Sequence, residues 1–319
     1  MHALQFNATG DLAALRHVEL PTPVPTADEV LVEVHAAGLN PSDVKNVLGR
    51  FPYTTLPRVP GRDFAGVVVQ GPAELVGAEV WGTGKPLGFS QDGSHASHIR
   101  LPADGVARKP KALSFAQAAA CGVPYSTAWD ALERSGVQAG TRLLVIGANG
   151  AVGTAAVNLA RARGAEVLAA ARKPEALAGL EQRGIATLHL GEPTSLPGQV
   201  EAHFAGGAEV IFDTTGFWLP AAVPALANFG RIAIIAAPVD GQVQLPALAL
   251  YRRGGSLIGT NTLLYDTRQS AAMLDGFGSL FDRGALPLPG ELREVPLSEG
   301  PACYHAVNEG STAKFIFLP

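Results

Sequence analysis

The stretch from Arg142 to Lys173, RLLVIGANGAVGTAAVNLARARGAEVLAAARK, constrains the fold more than any other part of the chain. Leu143–Ile146 is an uninterrupted apolar strand, and Val152–Arg163 is an alanine-rich helix that stops at Gly164. Glu166–Ala171 is a second apolar strand. Strand, turn, helix and strand in this order form half of a parallel, helix-covered sheet. Gly147, Gly150 and Gly153 lie in the turn between the first strand and the helix. A glycine at 150 lets the backbone approach a pyrophosphate, and one at 153 lets helix and strand pack closely. The helix start offers free N–H groups and the positive end of its dipole. The spacing is G-x-x-G-x-x-G, with Ala148 where G-x-G-x-x-G would have a glycine. The strand–turn–helix context is what such a motif needs for a dinucleotide reading. The turn is therefore expected to hold a dinucleotide through Gly147, Asn149, Gly150, Ala151, Val152 and Gly153; the alternative is an ordinary glycine-rich turn.

A site for NAD usually has Asp or Glu at the end of the second strand, facing the ribose hydroxyls. Here that end reads Ala170-Ala171-Arg172-Lys173, and Glu166 lies too early. Arg172 and Lys173 would instead meet a 2′-phosphate through charge-assisted contacts. The expectation is NADP(H), against the plainer reading of a solvated basic pair.

The rest of the chain sorts around this segment. Residues 1–118 read as short strands punctuated by prolines, among them Val30–Val34, Phe64–Val69 and one beginning at Glu79. That texture suggests a small barrel or sandwich. From Ser114, a helix N-cap, strands and helices alternate to about residue 261, with a second helix over Pro174–Arg183 and strands at Val210–Asp213, Arg231–Ala236 and Ser256–Gly259. Residues 262–319 carry an amphipathic helix (Thr267–Arg283) and strands at Leu292–Leu297 and Lys314–Leu318. This tail is expected to rejoin the first domain, so that the nucleotide domain at 119–261 is an insertion.

At 319 residues the chain has room for two cores. A net charge of −4 gives no bulk attraction to nucleic acid or an anionic membrane. Charged residues are only 16 %, and hydrophobic ones 47 %, which excludes a disordered chain. No run of about 18 apolar residues is present, and no leader is recognisable at the N-terminus. The cysteines, Cys121 and Cys303, form no C-x-x-C pair. A cytoplasmic protein is the expectation.

Several segments resemble the medium-chain dehydrogenase/reductase superfamily, and within it the zinc-independent quinone oxidoreductase branch. They are residues 36–46 (AAGLNPSDVKN), 59–69 (VPGRDFAGVVV), 122–132 (GVPYSTAWDAL), the glycine turn, and 229–238 (FGRIAIIAAP). The resemblance runs nearly end to end. It implies an α/β protein, with a GroES-like β-barrel catalytic domain, a Rossmann-type doubly wound parallel sheet and an active site in the cleft between them. It also implies a homodimer, formed through an edge strand near Ser256–Thr260.

Zinc alcohol dehydrogenases of this superfamily hold their metal with a cysteine, a histidine and a second cysteine. At the corresponding positions this chain has Asn40, Arg62 and Val123, and Cys121 would be a lone ligand. A catalytic zinc needs three protein ligands, so no metal is expected. His95 and His98 are the only close histidine pair and read as surface or edge residues on one strand.

Without a Lewis acid, hydride must go to an acceptor that is already electrophilic, such as a quinone or an α,β-unsaturated carbonyl. The resemblance implies that Asn40 touches nicotinamide ribose or substrate; the alternative is a residue of the Asn-Pro turn. Lys45 stands where quinone reductases carry tyrosine and is either a carbonyl donor, a phosphate contact or a solvated lysine. Phe51 replaces the tyrosine of enoyl-thioester reductases, leaving Tyr53 or water as proton source. Thr127, in the T-A-W-x-A-L segment, is implied to face the cofactor or to cap a helix. Thr214 and Thr215, after a buried strand, and Ala236, Ala237 and Pro238, after the next, lie where such sheets bind ligands. Leu190 replaces a family tyrosine near the adenine. Phe89, Trp218 and Tyr265 are pocket candidates, although aromatics are more often core. The leading expectation is an NADPH-dependent quinone or enone reductase acting on a small molecule. An enoyl-thioester reductase and an NADPH-binding protein without turnover are the alternatives.

Overall fold

Prolines and glycines break the first third of the chain into short strands. In the computed structural model, which describes residues 1–319, β1 (His2–Phe6) and β2 (Leu15–Glu19) form an antiparallel pair. The apolar alternation at 30–34 lies in β3 (Glu29–Gly38), the longest strand, followed by the short helix α1 (Pro41–Val47). Then come β4 (Asp63–Gln70), β5 (Glu79–Gly82), β6 (His98–Pro102) and β7 (Ala107–Arg108). One edge of β3 pairs with β4, with two register irregularities. Such bulges increase local twist and bend a sheet. The other edge carries β6 along residues 29–33.

Helix α2 (Phe115–Arg134) starts where Ser114 predicts. Gln117 N–H donates to Ser114 Oγ at 3.2 Å and Ser114 N–H to Gln117 Oε1 at 3.0 Å, a reciprocal capping box. Pro124 sits inside this helix. Alternation then sets in: β8 (Arg142–Ile146), α3 (Ala151–Ala162), β9 (Glu166–Ala171), α4 (Ala178–Glu181), β10 (Ala186–His189), α5 (Leu196–His203), β11 (Ala208–Asp213), α6 (Leu219–Ala222), β12 (Leu226–Ile234), α7 (Ala247–Arg252) and β13 (Ser256–Gly259). The single helix expected over 174–183 is instead a 3₁₀ turn, Pro174–Ala176, followed by the one-turn α4. Gly179 inside the segment weakens helical continuation there. The strand expected at Arg231–Ala236 begins earlier and ends at Ile234.

After α8 (Thr267–Asp282), β14 (Leu292–Pro296), α9 (Gly300–Asn308) and β15 (Lys314–Leu318) complete the chain. β14 and β15 pair parallel, and β15 joins the edge of β3 at Ala37–Gly38, antiparallel.

The chain divides into two compact units, Met1–Ser126 with Thr262–Pro319, and Thr127–Asn261. The first is built on the seven-stranded sheet β14-β15-β3-β4-β5-β7 with β6 on β3. Its core joins residues far apart in the chain, such as Leu4, Val32, Phe64, Tyr304 and Phe317. The second is a six-stranded sheet in the order β10-β9-β8-β11-β12-β13. Every pairing in it is parallel. Numbered within this unit, the order is 3-2-1-4-5-6, the doubly wound arrangement, whose direction reverses between β8 and β11. No helix is long and apolar enough to cross a membrane.

Candidate active site

Ligands of doubly wound sheets bind outside the carboxyl ends of the strands where the order reverses. The glycine turn lies there, after β8. Gly147 has φ +79°, and a Cβ on it would lie 2.4 Å from Thr214 Oγ1. Only glycine fits a left-handed backbone this close to the next loop. A Cβ on Gly153 would meet Gly147 O at 2.1 Å. Gly150 differs, since its Cβ would touch only Gly147 O, at 3.4 Å. Gly150 is the N-cap of α3 and has no side-chain cap bond, and Asn149, Gly150 and Ala151 are exposed while Val152 is half-buried. The helix start is therefore open, and the protein's own packing leaves room above Gly150. That geometry fits a pyrophosphate.

β9 ends at Ala171, and Arg172 and Lys173 follow it, both exposed. His189 Nε2 and Arg172 O lie 2.9 Å apart, tying this turn to the end of β10. The next acid, Glu175, lies within the 3₁₀ turn.

Asp213, fully buried at the end of β11, organises the following loop. Its Oδ1 accepts from Thr215 N–H and Thr215 Oγ1, both at 2.8 Å, and from Gly216 N–H at 3.1 Å. Its Oδ2 accepts from Trp218 N–H at 3.0 Å. Thr214 Oγ1 donates to Ile146 O at 2.8 Å, joining this loop to the end of β8. A Cβ on Gly216 would lie 2.5 Å from the Ala236 carbonyl carbon. Gly147, Thr214, Thr215 and Ala236 are thus brought to one end of the sheet, with Ala237 and Pro238 in the loop beyond β12. Trp218 is buried in the core of this unit, as is Leu190. Thr127 is buried in the second half of α2, not at a helix start. The helix-capping reading is corrected because α2 begins twelve residues upstream, at Phe115.

In the first unit, Asn40 leads into α1 and is 3 % exposed. Asn40 Oδ1 accepts from Lys314 Nζ at 2.9 Å, and Asn40 Nδ2 donates to Asp63 Oδ2 at 2.8 Å. Asp63 Oδ1 accepts from Thr83 Oγ1 at 2.7 Å, and both carboxylate oxygens accept from Val123 N–H at 2.9 Å. Asp63 thereby serves an N–H of α2 just before Pro124. A Cβ on Gly122 would lie 2.4 Å from Asp63 Oδ1, so this approach requires glycine. Lys314 Nζ also donates to Leu39 O at 3.2 Å.

Asp43 N-terminally supports the same helix, its Oδ2 accepting from Asn40 N–H at 2.8 Å. Arg62 lies 3.8 Å from Asp43, and both are nearly fully buried. Burial pushes the Asp43 carboxyl up to about 6, against the pull of Arg62. Burial likewise lowers the Lys314 ammonium, opposed by Asp63 and Asp43.

Arg62 also lies over the Phe89 ring, 5.8 Å from its centroid. Phe51, Tyr53 and Phe89 pack mutually with centroids 5.2–5.8 Å apart. Lys85 Nζ lies 4.5 Å from the Tyr53 ring centroid. Asn46 ties this loop to α1, donating to Gly88 O at 2.6 Å and accepting from Thr54 Oγ1. Burial raises the Tyr53 phenol. Lys45 is exposed on the last turn of α1. Tyr265 is half-buried.

His95 corrects the expectation of a surface or edge residue. It precedes β6 and is fully buried. Its Nδ1 lies 2.8 Å from Tyr304 OH and its Nε2 3.3 Å from Gly38 O. Nε2 donates to the carbonyl, so Nδ1 accepts from the phenol. Burial lowers its pKa to about 3, keeping the ring neutral. His98 is half-buried at the start of β6.

Residues 26–111 match the model of the alcohol dehydrogenase GroES-like domain, and residues 151–275 that of the zinc-binding dehydrogenases. A zinc-type alcohol dehydrogenase-like protein of Schizosaccharomyces pombe is 36% identical over 270 residues, 83% of this chain and 79% of that protein. The chain belongs to the medium-chain dehydrogenase/reductase superfamily. Its members are nicotinamide-dependent oxidoreductases, and this chain is an oxidoreductase of that family. The 2-methylene-furan-3-one reductase of Solanum lycopersicum is 43% identical over 143 residues, 42% of this chain and 37% of that protein. Human quinone oxidoreductase is 37% identical over 163 residues, 49% of this chain and 48% of that protein. A solved NAD-dependent alcohol dehydrogenase, 29% identical, superposes over all of both chains with a TM-score of 0.89.

The family description includes zinc, and the residues at the expected ligand positions do not fit it. Asn40 has its carbonyl committed to an ammonium and its amide to a carboxylate. Arg62 is a buried cation, and Val123 has no side-chain donor atom. Nowhere do three His, Cys, Asp or Glu side chains form a group able to hold a metal ion.

Sequence reading missed the amide bridge made by Asp63 and Lys314, the Asp43–Arg62 pair and Lys85. Asp63 lay inside a quoted motif, yet Lys314 is more than 250 residues away in the chain, and no spacing rule joins them.

Proposed function

We propose that the protein is a zinc-independent, NADPH-dependent reductase that transfers hydride to a quinone or an α,β-unsaturated carbonyl. The observation that carries this reading is the set of groups around Asn40. Where zinc enzymes of the family place metal ligands, this chain has a doubly committed amide, a guanidinium and a valine. A site without a Lewis acid suits an acceptor that is already electrophilic. The names of the tomato and human relatives support the same acceptor classes.

NADPH supplies the hydride when bound. The unit Thr127–Asn261 takes the role of cofactor domain, with the open start of α3 on the pyrophosphate and Arg172 and Lys173 on the 2′-phosphate. The other unit takes the acceptor. Phe51 and Tyr53, half-buried and backed by the fully buried Phe89, offer aromatic faces to a flat conjugated molecule. Asn40 donates its remaining Nδ2 hydrogen to the oxygen on which negative charge develops. Tyr53 is the candidate proton source.

A cytoplasmic homodimer is part of the proposal. β13 is one of the two edges of the parallel sheet, and Leu257, Leu248 and Tyr251 are exposed on it and on α7.

The test follows NADPH oxidation with 1,4-benzoquinone and with a medium-chain enone, with NADH and added zinc as controls. The expected result is turnover of at least one acceptor, faster with NADPH and insensitive to zinc. Tight NADPH binding without turnover of either acceptor overturns the reductase reading.

A further inference from the structure

Lys314 and Asp63 approach the Asn40 amide from its two ends. The ammonium is a donor only and faces the carbonyl oxygen; the carboxylate is an acceptor only and faces the amide nitrogen. Turning the amide over would set C=O against carboxylate and NH₂ against ammonium, so its orientation is fixed twice. Asp63 is itself immobilised by Thr83 and by Val123 N–H, and Lys314 by Leu39 O. The amide dipole lies in the field between a cation and an anion, in a site where Asn40 is 3 % and Asp63 0 % exposed. Fields act strongly where water is scarce. The second Nδ2 hydrogen is the one polar hydrogen of this amide left without a protein partner, and its direction is set by the other two bonds.

We propose that Lys314 is a positioning residue for the reaction: it fixes and polarises the Asn40 amide, so that the second Nδ2 hydrogen is presented to the acceptor's oxygen as hydride arrives. This rests on the reductase reading given above. The residue acts through Asn40 and does not touch the acceptor. Its charge matters as well as its hydrogen bond, because a neutral donor would not polarise the carbonyl equally.

The test combines nuclear magnetic resonance with kinetics on the full-length protein. In wild type the two Asn40 Nδ2 protons are expected as separate, slowly exchanging resonances. In Lys314→Met they are expected to broaden or exchange faster. With NADPH and the enone, Lys314→Met is expected to lower kcat by about 10²-fold, as misplacement of a reacting group does, with KM for NADPH unchanged. The double variant Asn40→Ala/Lys314→Met is expected to be no slower than Asn40→Ala alone. Lys314→Gln retains a donor without charge and covers the case in which methionine prevents folding; it is expected to lose kcat in the same direction. Wild-type kcat in either Lys314 variant, or losses that multiply in the double variant, overturns the proposal. Unaltered Asn40 resonances in the folded Lys314 variant also overturn it. If wild type turns over neither acceptor, the reductase reading fails, and the resonances still decide whether Lys314 holds the amide.

Discussion

A Cβ built on Gly153 would lie 2.1 Å from the carbonyl oxygen of Gly147, closer than any real side chain sits to backbone. Gly150, three residues earlier, has only that same oxygen nearby, at 3.4 Å. The two glycines therefore answer to different demands, one internal and one external. Gly153→Ala is expected to destabilise the fold by about 1–3 kcal/mol, the usual cost of overpacking. Gly150→Ala is expected to keep the wild-type Tm and weaken NADPH binding. Gly290→Ala, in a loop where a Cβ meets nothing within 4 Å, is the control for both. Thermal melts and fluorescence titration with NADPH separate the three.

The exposed pair after β9 sets the second prediction. Hydrogen bonds to charged groups are worth about 1.5–3 kcal/mol each. Arg172→Ala/Lys173→Ala is expected to lower the NADPH-to-NADH ratio of kcat/KM by about 10- to 100-fold, mainly through KM for NADPH. A double variant that keeps the wild-type ratio removes these residues from the 2′-phosphate.

Asp43 gives a pH prediction with a definite sign. Its folded pKa, about 6, lies above its ordinary value of 3.8. Between those values the folded protein holds the proton more tightly than the unfolded chain. Its contribution to stability is therefore full below about pH 4 and lost as pH rises through about 6. Asp43→Asn cannot ionise. The Tm of the variant minus that of wild type is expected to become more positive from about pH 3.5 to about pH 7.5, a window bracketing both values. A difference that is flat, or falls with pH, contradicts the assignment.

The proton source is tested at two positions. Lys45 is exposed on α1, whereas Tyr53 packs into the aromatic cluster beneath Lys85. Lys45→Ala is expected to change kcat by no more than about twofold, as exposed substitutions do. Tyr53→Phe is expected to lower it by about 10²-fold, the low end of general-acid contributions. Unchanged turnover in Tyr53→Phe makes water the donor.

The nucleotide unit was readable because its signals are local. An apolar run gives β8, helical spacing and a terminal glycine give α3, and the basic pair falls one residue past β9. The site in the first unit is different in kind. Asn40 and Asp63 lie in motifs, but their partnership with Lys314 exists only once β15 lies on β3. His95 shows the same limit: a histidine near a strand is most often solvated, and only the folded core shows its ring between Tyr304 and Gly38. Pro174–Arg183 failed as one helix for a local reason, since Gly179 lowers the helix propensity of a segment with few buried residues.

β15 pairs with β3 across almost the whole chain, Ile316 opposite Gly38 and Phe317 opposite Ala37. During synthesis on the ribosome, Thr127–Asn261 is a continuous stretch with all its strands in hand long before residue 314 emerges. The other unit must wait, because closing so long a loop comes late and non-local pairings form slowly. Asn40 therefore waits for its ammonium partner until residue 314 has been made, more than 270 residues later. Vectorial order thus separates the birth of the cofactor fold from the arming of the amide, and a nascent chain stalled before residue 314 would hold the first without the second.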